Sequence, residues 1–389
     1  MRERIADGYT LRSFTDFLSQ TVPKHDAFNR AFNRLTPETL RAVNEFAVKA
    51  ALDLGLEDGK KLRVDTTVVQ TDIHHPTDNT LLWDTVRVIT RLVGRLDQVV
   101  RRGVKGFRNR ARAARRRMQE IQRMTSQQRQ QQQTRKYRQL IEITEQVVES
   151  ARGVLKQTQK ARGKNEKDDL IIPQIRQAID HYCQLGDCVL GQARRRVLEG
   201  EKVPDADKVY SILEPPTDLI KRGKVQTPVE FGHKVFLAES AQGLITQYEI
   251  LNGNPCDEVH VSPSLLHHRE IFGHAPDLYG TDRGFYSEDN VKACKQDGIK
   301  VVSIPQRGGQ KTAKRAAFEK TPAFKQGQRF RAGIEGRISV LFRGRGMKRC
   351  RAEGRKRFEL LVGAAVLTNN LMRIATLLMT RSSRKRPAA

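Results

Sequence analysis

Residues 61–73 read KLRVDTTVVQTDI. Val64, Thr66, Thr67, Val68 and Val69 are β-branched, and no glycine or proline interrupts them. Such side chains fit a pleated surface better than a helical one. The stretch therefore predicts a strand, whose alternation sets Asp65, Thr67 and Val69 on one face. A carboxylate inside a strand is costly unless it is paired or bound to a cation. Asp65 is thus the first candidate for chemistry.

Upstream, residues 1–60 predict helices. Ser13 and Thr36 are candidate caps, and Thr36-Pro37-Glu38 is a good helix start. Leu40, Val43, Phe46, Ala47, Ala50 and Leu54 recur at helical spacing. Downstream, residues 78–208 are polar and helical. They hold RRGVKGFRNRARAARRR (101–117), with nine basic residues and no acid, then SQQRQQQQ (126–133). Leu140, Ile143, Val147, Val148 and Leu155 follow at helical spacing, which predicts an antiparallel helical pair inserted after the first strand.

Strand patterns return in VEFGHKVFLAE (229–239) and GLITQYEIL (243–251), which suit a hairpin. A helix is expected near 263–273, a strand at DLYGTD (277–282), and a helix at SEDNVKACKQDG (287–298) ending at Gly298. Another strand follows at IKVVSIP (299–305), and helices beyond about 313. Alternating strand and helix implies parallel pairing. With the insertion set aside, this is the order of a ribonuclease-H-like α/β fold. The expected organisation is a helical region at 1–60, a catalytic core at 61–77 and 209–345, a helical insertion at 78–208, and basic C-terminal helices and tail at 346–389.

Charge bounds the partner. The 389 residues carry 71 Lys plus Arg against 44 Asp plus Glu, a formal net charge of +27. Such a field attracts polyanions, and nucleic acid gains further from counterion release. An acidic membrane surface is the other candidate partner, and a ribosomal or packaging role is the bland reading of such a composition. The N-terminus lacks the apolar core of a signal peptide. Phe358–Met379 is apolar but contains Glu359, Asn369, Asn370 and Arg373, so it reads as a buried helix rather than a span. A soluble, cytoplasmic, nucleoid-associated protein with no membrane partner is expected. The five cysteines form no CxxC pair. Cys183 and Cys188 lie near His181, but no second pair stands at zinc-finger spacing, so free thiols are expected.

Two further acids stand out. Asp282 closes DLYGTD before Arg283-Gly284. Glu335 lies in RFRAGIEGRISVLF (329–342), where Ile334, Ile338 and Leu341 form an apolar stripe. Three acids from separate elements can converge at one sheet edge, and hard oxygen ligands favour Mg²⁺ or Mn²⁺. Two such ions can activate water or a 3′-hydroxyl and stabilise a leaving oxygen. Each acid also has an ordinary reading: a turn acid for Asp282, a solvated helix face for Glu335. Arg331 precedes Glu335 by one helical turn. Arg343, Arg345, Lys348, Arg349, Arg351, Arg355, Lys356 and Arg357 follow, opposed only by Glu353. Asp72 falls on the opposite side of the first strand from Asp65, and Asp277 stands at a strand start; they are the weaker rivals. His74 and His75 read as a strand-end polar cluster and Trp83 as core packing.

LRVDTTVVQTDIHHPTDNTLLWD (62–84) is similar to the first catalytic block of bacterial insertion-sequence transposases of the Asp-Asp-Glu class, the ISNCY-like group. TDRGFYS (281–287) resembles their second block. Their third block reads Tyr, two residues, Arg, three residues, Glu, six residues, Lys or Arg. Arg331 and Glu335 match it; Gln328 stands at the Tyr position and Phe342 at the basic position, with Arg343 one residue later. RERIADGYTLRSFTDF and VPKHDAFNRAFNRL also resemble these proteins, whose relatives carry further N-terminal helices, so the N-terminal region reads as shortened.

The resemblance implies an enzyme that cleaves element ends and transfers a 3′-hydroxyl to target DNA. Asp65, Asp282 and Glu335 would be the catalytic and metal-binding triad for two Mg²⁺ or Mn²⁺ ions. Arg331, Arg343, Arg345, Lys348, Arg349, Arg115, Arg116 and Arg117 are the candidate DNA-binding residues, with double-stranded DNA as partner and a homo-oligomer assembled on it. An inactive remnant that only binds nucleic acid, or a structure-selective nuclease on the same fold, are the alternatives.

Overall fold

The computed structural model describes residues 2–221 and 229–384. The chain opens with α1 (Arg2–Asp7), α2 (Tyr9–Phe14) and α3 (His25–Arg34). Ser13 lies inside α2 and caps nothing. Thr36 does cap α4 (Pro37–Asp53), accepting a hydrogen bond from the Thr39 amide at 3.1 Å, with Pro37 in the first turn.

The buried face of α4 differs from the expected stripe. Leu40, Asn44, Ala47, Val48 and Ala51 are buried, while Val43, Phe46 and Leu54 are exposed. Asn44 explains the rotation. Its amide donates to the Ile245 carbonyl and its oxygen accepts from Asn370, so this polar residue faces inward.

β1 (Lys61–Thr71) follows. Four helices come next: α5 (Asp78–Val99), α6 (Ala111–Gln122), α7 (Ser126–Gln157) and α8 (Glu166–Ala193). The remaining elements are β2 (Asp218–Lys221), β3 (Val229–Ser240), β4 (Ile245–Ile250), α9 (Val261–Phe272), β5 (Leu278–Gly280), α10 (Glu288–Gln296), β6 (Val301–Ser303), α11 (Ala313–Lys320), α12 (Pro322–Gly344), β7 (Arg349–Cys350) and α13 (Arg355–Arg384).

The chain divides into two units, residues 1–72 with 220–389, and residues 73–219. The first is mixed α/β. Its seven-stranded sheet runs β2-β3-β1-β5-β6, with β4 added on β3 and β7 on β1. β1 pairs antiparallel with β3, Asp65 opposite Leu237, and β3 pairs antiparallel with β4. β1–β5 and β5–β6 are parallel, as the helical crossover between β5 and β6 allows. β5 is shorter than DLYGTD suggests. The Thr281 amide still bonds the Ser303 carbonyl, but Asp282 turns away to cap a short turn at Arg283–Phe285.

Apolar side chains pack on both sheet faces. Leu62, Val64, Phe236 and Tyr279 meet Val261, Leu265, Val291 and Cys294 from α9 and α10. Val69, Val235 and Leu237 meet Leu341, Phe358, Val362 and Val366 from α12 and α13. Truncating a fully buried residue such as Leu62 to alanine would cost about 2–5 kcal/mol. Among the described residues, α13 is the one helix long and apolar enough to cross a membrane. Its Asn370 lies fully buried, bonding both the amide and the carbonyl of Ile245 in β4 at 2.8 Å, which docks α13 on the sheet.

The second unit corrects the expected helical pair: it holds four helices, each packed on its neighbours around Leu82, Ile89, Leu96, Leu140, Val147 and Ile179. One of the divisions falls in the basic run. Gly103 and Gly106, both at positive φ, break it, so residues 101–110 connect α5 to α6 and only the remainder is helical. Trp83 packs partly buried in this unit. All five cysteines are free thiols.

Candidate active site

Asp65 lies in the middle of β1, its side chain 12% exposed, between fully buried Val64 and half-buried Thr66. One carboxylate oxygen, Oδ1, accepts the Thr66 amide at 2.8 Å. The other, Oδ2, accepts Arg331 Nη2 at 2.8 Å. Asp282 stands two residues beyond β5, where its Oδ1 accepts the Gly284 amide at 2.8 Å and its Oδ2 lies 3.9 Å from Arg331 Nη2. Glu335, largely exposed, accepts Arg331 Nη1 at 3.0 Å. One guanidinium, itself 16% exposed, therefore joins all three carboxylates. They come from β1, the end of β5 and α12, and line one cleft of about 680 Å³.

α12 is held over the strand ends by several polar contacts. Gln328 Nε2 donates to the carbonyls of Thr281 (3.2 Å) and Ser303 (2.8 Å) and to Ser303 Oγ (2.9 Å). A side chain at Gly327 would meet Ser303 Cβ at 2.5 Å, so the helix approaches β6 only because this residue has none. Arg63 on β1 donates to the Phe330 carbonyl at 2.7 Å and, through Nε, to Glu239 at 2.7 Å. Arg337 on α12 reaches the same carboxylate at 2.8 Å. Glu239 is fully buried, so the two arginines provide the pairing that a buried charge requires.

Charge in the cleft is unevenly balanced. Burial pushes the Asp65 carboxyl up to about 6. The Arg331 guanidinium opposes that rise, the charges of Asp282 and Asp257 add to it, and the Thr66 amide opposes it. Asp257 is a fourth acid that the sequence reading missed. Its Oδ1 accepts Thr66 Oγ1 at 2.9 Å and Lys234 Nζ at 2.8 Å. A side chain at Gly284 would meet Asp257 Oδ2 at 2.8 Å and Asp282 Oδ1 at 3.0 Å. Asp257 follows a turn, Asn252-Gly253-Asn254-Pro255-Cys256, that carries no signal of a site. Lys234 did offer one: a lysine directly before the apolar run Val235-Phe236-Leu237-Ala238 of β3.

The other candidates scatter. Arg343 and Lys348 are exposed and line the cleft. Arg345 lines a different hollow with Asn29 and Phe32. Arg349 pairs with exposed Asp72 at 3.5 Å. Arg115, Arg116 and Arg117 lie on α6 in the helical unit; Arg117 bonds Glu120 at 2.7 Å, Arg116 approaches it at 3.5 Å and Arg115 is exposed. Asp277 pairs with Lys300 at 2.9 Å, which holds its carboxyl below the ordinary range. His74 bonds Asp84 at 2.6 Å within the helical unit.

Among the described residues, no three His, Cys, Asp or Glu side chains stand as a ready metal-holding group, and Arg331 sits among the three acids of the cleft. The donor set itself is all carboxylate oxygen, which fits a hard divalent cation. Comparison with family models, with curated proteins and with solved structures returned no match.

Proposed function

We propose that the chain is a transposase of the Asp-Asp-Glu class, cutting DNA at the ends of an insertion element and joining the freed 3′-hydroxyl to target DNA. One observation carries the reading: Asp65, Asp282 and Glu335, from three separate elements, meet at a single guanidinium in an open cleft with cationic rims. The strand order β4-β3-β1-β5-β6, antiparallel on one side of β1 and parallel on the other, supports a ribonuclease-H-like core. The long α5–α8 segment is then an insertion after its first strand.

Asp65, Asp282 and Glu335 would hold two Mg²⁺ or Mn²⁺ ions. Bound there, the ions supply activation of water or a 3′-hydroxyl and stabilisation of the leaving oxygen. The chain's own groups do the rest. Arg343 and Lys348 bind phosphate oxygens at the rim, because exposed cations position a phosphodiester without reading its bases. Gln328, Arg63 and Arg337 hold α12, and with it Glu335, against the strand ends. Arg331 keeps the acids from repelling one another. Lys234 and Thr66 orient Asp257 on the floor of the cleft. The partner is double-stranded DNA, element ends and target alike, bound by a homo-oligomer in the bacterial cytoplasm.

The test is Mg²⁺-dependent cutting and joining of a DNA end by the full chain and by Asp65→Asn, Asp282→Asn and Glu335→Gln. Loss of cutting in each variant with DNA binding retained supports the triad. Cutting without joining by the parent would reassign the chain as a nuclease, and binding without cutting would make it a remnant.

A further inference from the structure

The helical unit holds a second hollow, of about 800 Å³, that the reaction proposed above does not use. It forms where the connection after α5 crosses the connection between α7 and α8. Val100 and Gly163 make an antiparallel bridge. The Arg101 amide donates to the Arg162 carbonyl at 2.9 Å and the Lys164 amide to the Val99 carbonyl at 3.1 Å. Gly103, at φ +63°, turns the chain back, and the Lys105 amide donates to Gln157 Oε1 at 3.1 Å. The backbone of both connections is therefore pinned.

Five cations line this hollow: Arg101, Arg102, Lys105, Lys160 and Arg162, with no acid among the lining residues. Among the described residues, none of these five side chains makes an ion pair or a hydrogen bond. The neighbouring acids are otherwise engaged. Asp97 accepts the Val104 amide at 2.7 Å, and Asp169 accepts the Gly163 amide at 2.6 Å. Cations near a helix C-terminus can serve its last carbonyls. Arg176 already does so for α7, donating to the Leu155 carbonyl at 2.6 Å and to Thr158 Oγ1 at 2.7 Å. That role leaves the five cations unexplained.

All five are exposed, and like charges this close still repel through water, although salt screens them. A polyanion relieves the repulsion and releases its own counterions. No aromatic side chain lines the hollow, so it offers no stacking platform of the kind single strands use. We propose that the hollow is a cradle for the phosphodiester backbone of duplex DNA, indifferent to sequence. It deepens the nucleic-acid reading above by giving the helical unit its own phosphate site, which does not depend on cleavage.

The experiment measures duplex binding by the full chain across a salt series, with Arg101→Gln, Lys160→Gln and Arg162→Gln combined. The control combines Arg135→Gln, Arg138→Gln and Lys167→Gln, exposed cations of the same unit outside the hollow. Three lost phosphate contacts should flatten the slope of log K against log salt by about 2.7. Between about 50 and 200 mM salt the variant should then lose about 40-fold less affinity than the parent. The control should flatten less, and the cradle variant should show the same flattening on an Asp65→Asn background that cannot cut. An unchanged slope, or equal flattening in the control, would overturn the cradle. So would a lower melting temperature with an unchanged slope, which would assign the cations to loop structure. A titration with inorganic phosphate alone that gives a heat lost in the cradle variant, with the duplex slope unmoved, would assign free phosphate and overturn the backbone.

Discussion

Asp65→Asn should make the folded protein more stable at neutral pH, although it removes a residue assigned to chemistry. Asp65 is nearly buried and faces Asp282 and Asp257, and its carboxyl titrates at about 6 rather than at the ordinary 3.8. Between those two values the folded state holds a proton that the unfolded state has lost, so stability falls as pH rises through the interval. The cost is fully in place above about pH 6, and at 1.36 kcal/mol per unit it amounts to about 3 kcal/mol. Asparagine cannot ionise and escapes it. The variant should therefore exceed the parent by up to about 3 kcal/mol at pH 8, with the difference fading by about pH 4. Mg²⁺ should narrow the gap, since an ion that binds only the folded parent stabilises that state by mass action. Hydrogen exchange at the β1 amides is the direct readout, because the single tryptophan, Trp83, reports on the helical unit. A parent that gains on the variant as pH rises would refute the argument, because it would mean that Arg331 outweighs burial.

Arg331→Gln should push the Asp65 carboxyl above about 6, since the guanidinium is the chief influence lowering it, and should move the acid limb of any cleavage profile to higher pH; an unmoved limb would separate Arg331 from Asp65. Gly284→Ala places a methyl group against Asp257 and Asp282 and should cut activity at least tenfold while costing only about 1–3 kcal/mol of stability, read by turnover and urea melts. Glu239→Ala strands Arg63 and Arg337 around an empty buried position and should cost about 3–5 kcal/mol, measured by urea unfolding; a loss under 1 kcal/mol, read with about the same scale, would mean that water replaces the carboxylate.

Where one dominant side-chain preference governs an element, the sequence was readable. β1 follows from an unbroken β-branched run, and the start of α4 from Thr36 and Pro37. Arg331 and Glu335 share a helix face by their spacing alone, and their ion pair is local. What stayed hidden depends on partners remote in the chain. β2 and β7 are short stretches whose pairing is decided by the edges of β3 and β1, not by their own residues. The inward face of α4 turns on Asn44, whose partners Ile245 and Asn370 lie about two and three hundred residues away. Asp257 enters the cleft because β1 and β3 present Thr66 and Lys234 to it, and no local pattern encodes that meeting. Separating α5 from α6 required seeing that Gly103 and Gly106 divide the basic run.

The long excursion between β1 and β3 has a consequence for synthesis. β1 ends at Thr71 and its antiparallel partner begins at Val229. At ~5–20 residues per second, a newly made β1 waits roughly 10–30 s before β3 leaves the ribosome. Throughout that wait an apolar β-branched strand has both edges open, a template for pairing with another chain. The helices between them can pack within microseconds to milliseconds of emerging, because their contacts are comparatively local. Yield in a cell should therefore depend on chaperone capacity during this window and on the speed of translation through residues 73–228, more than on the final stability of the sheet.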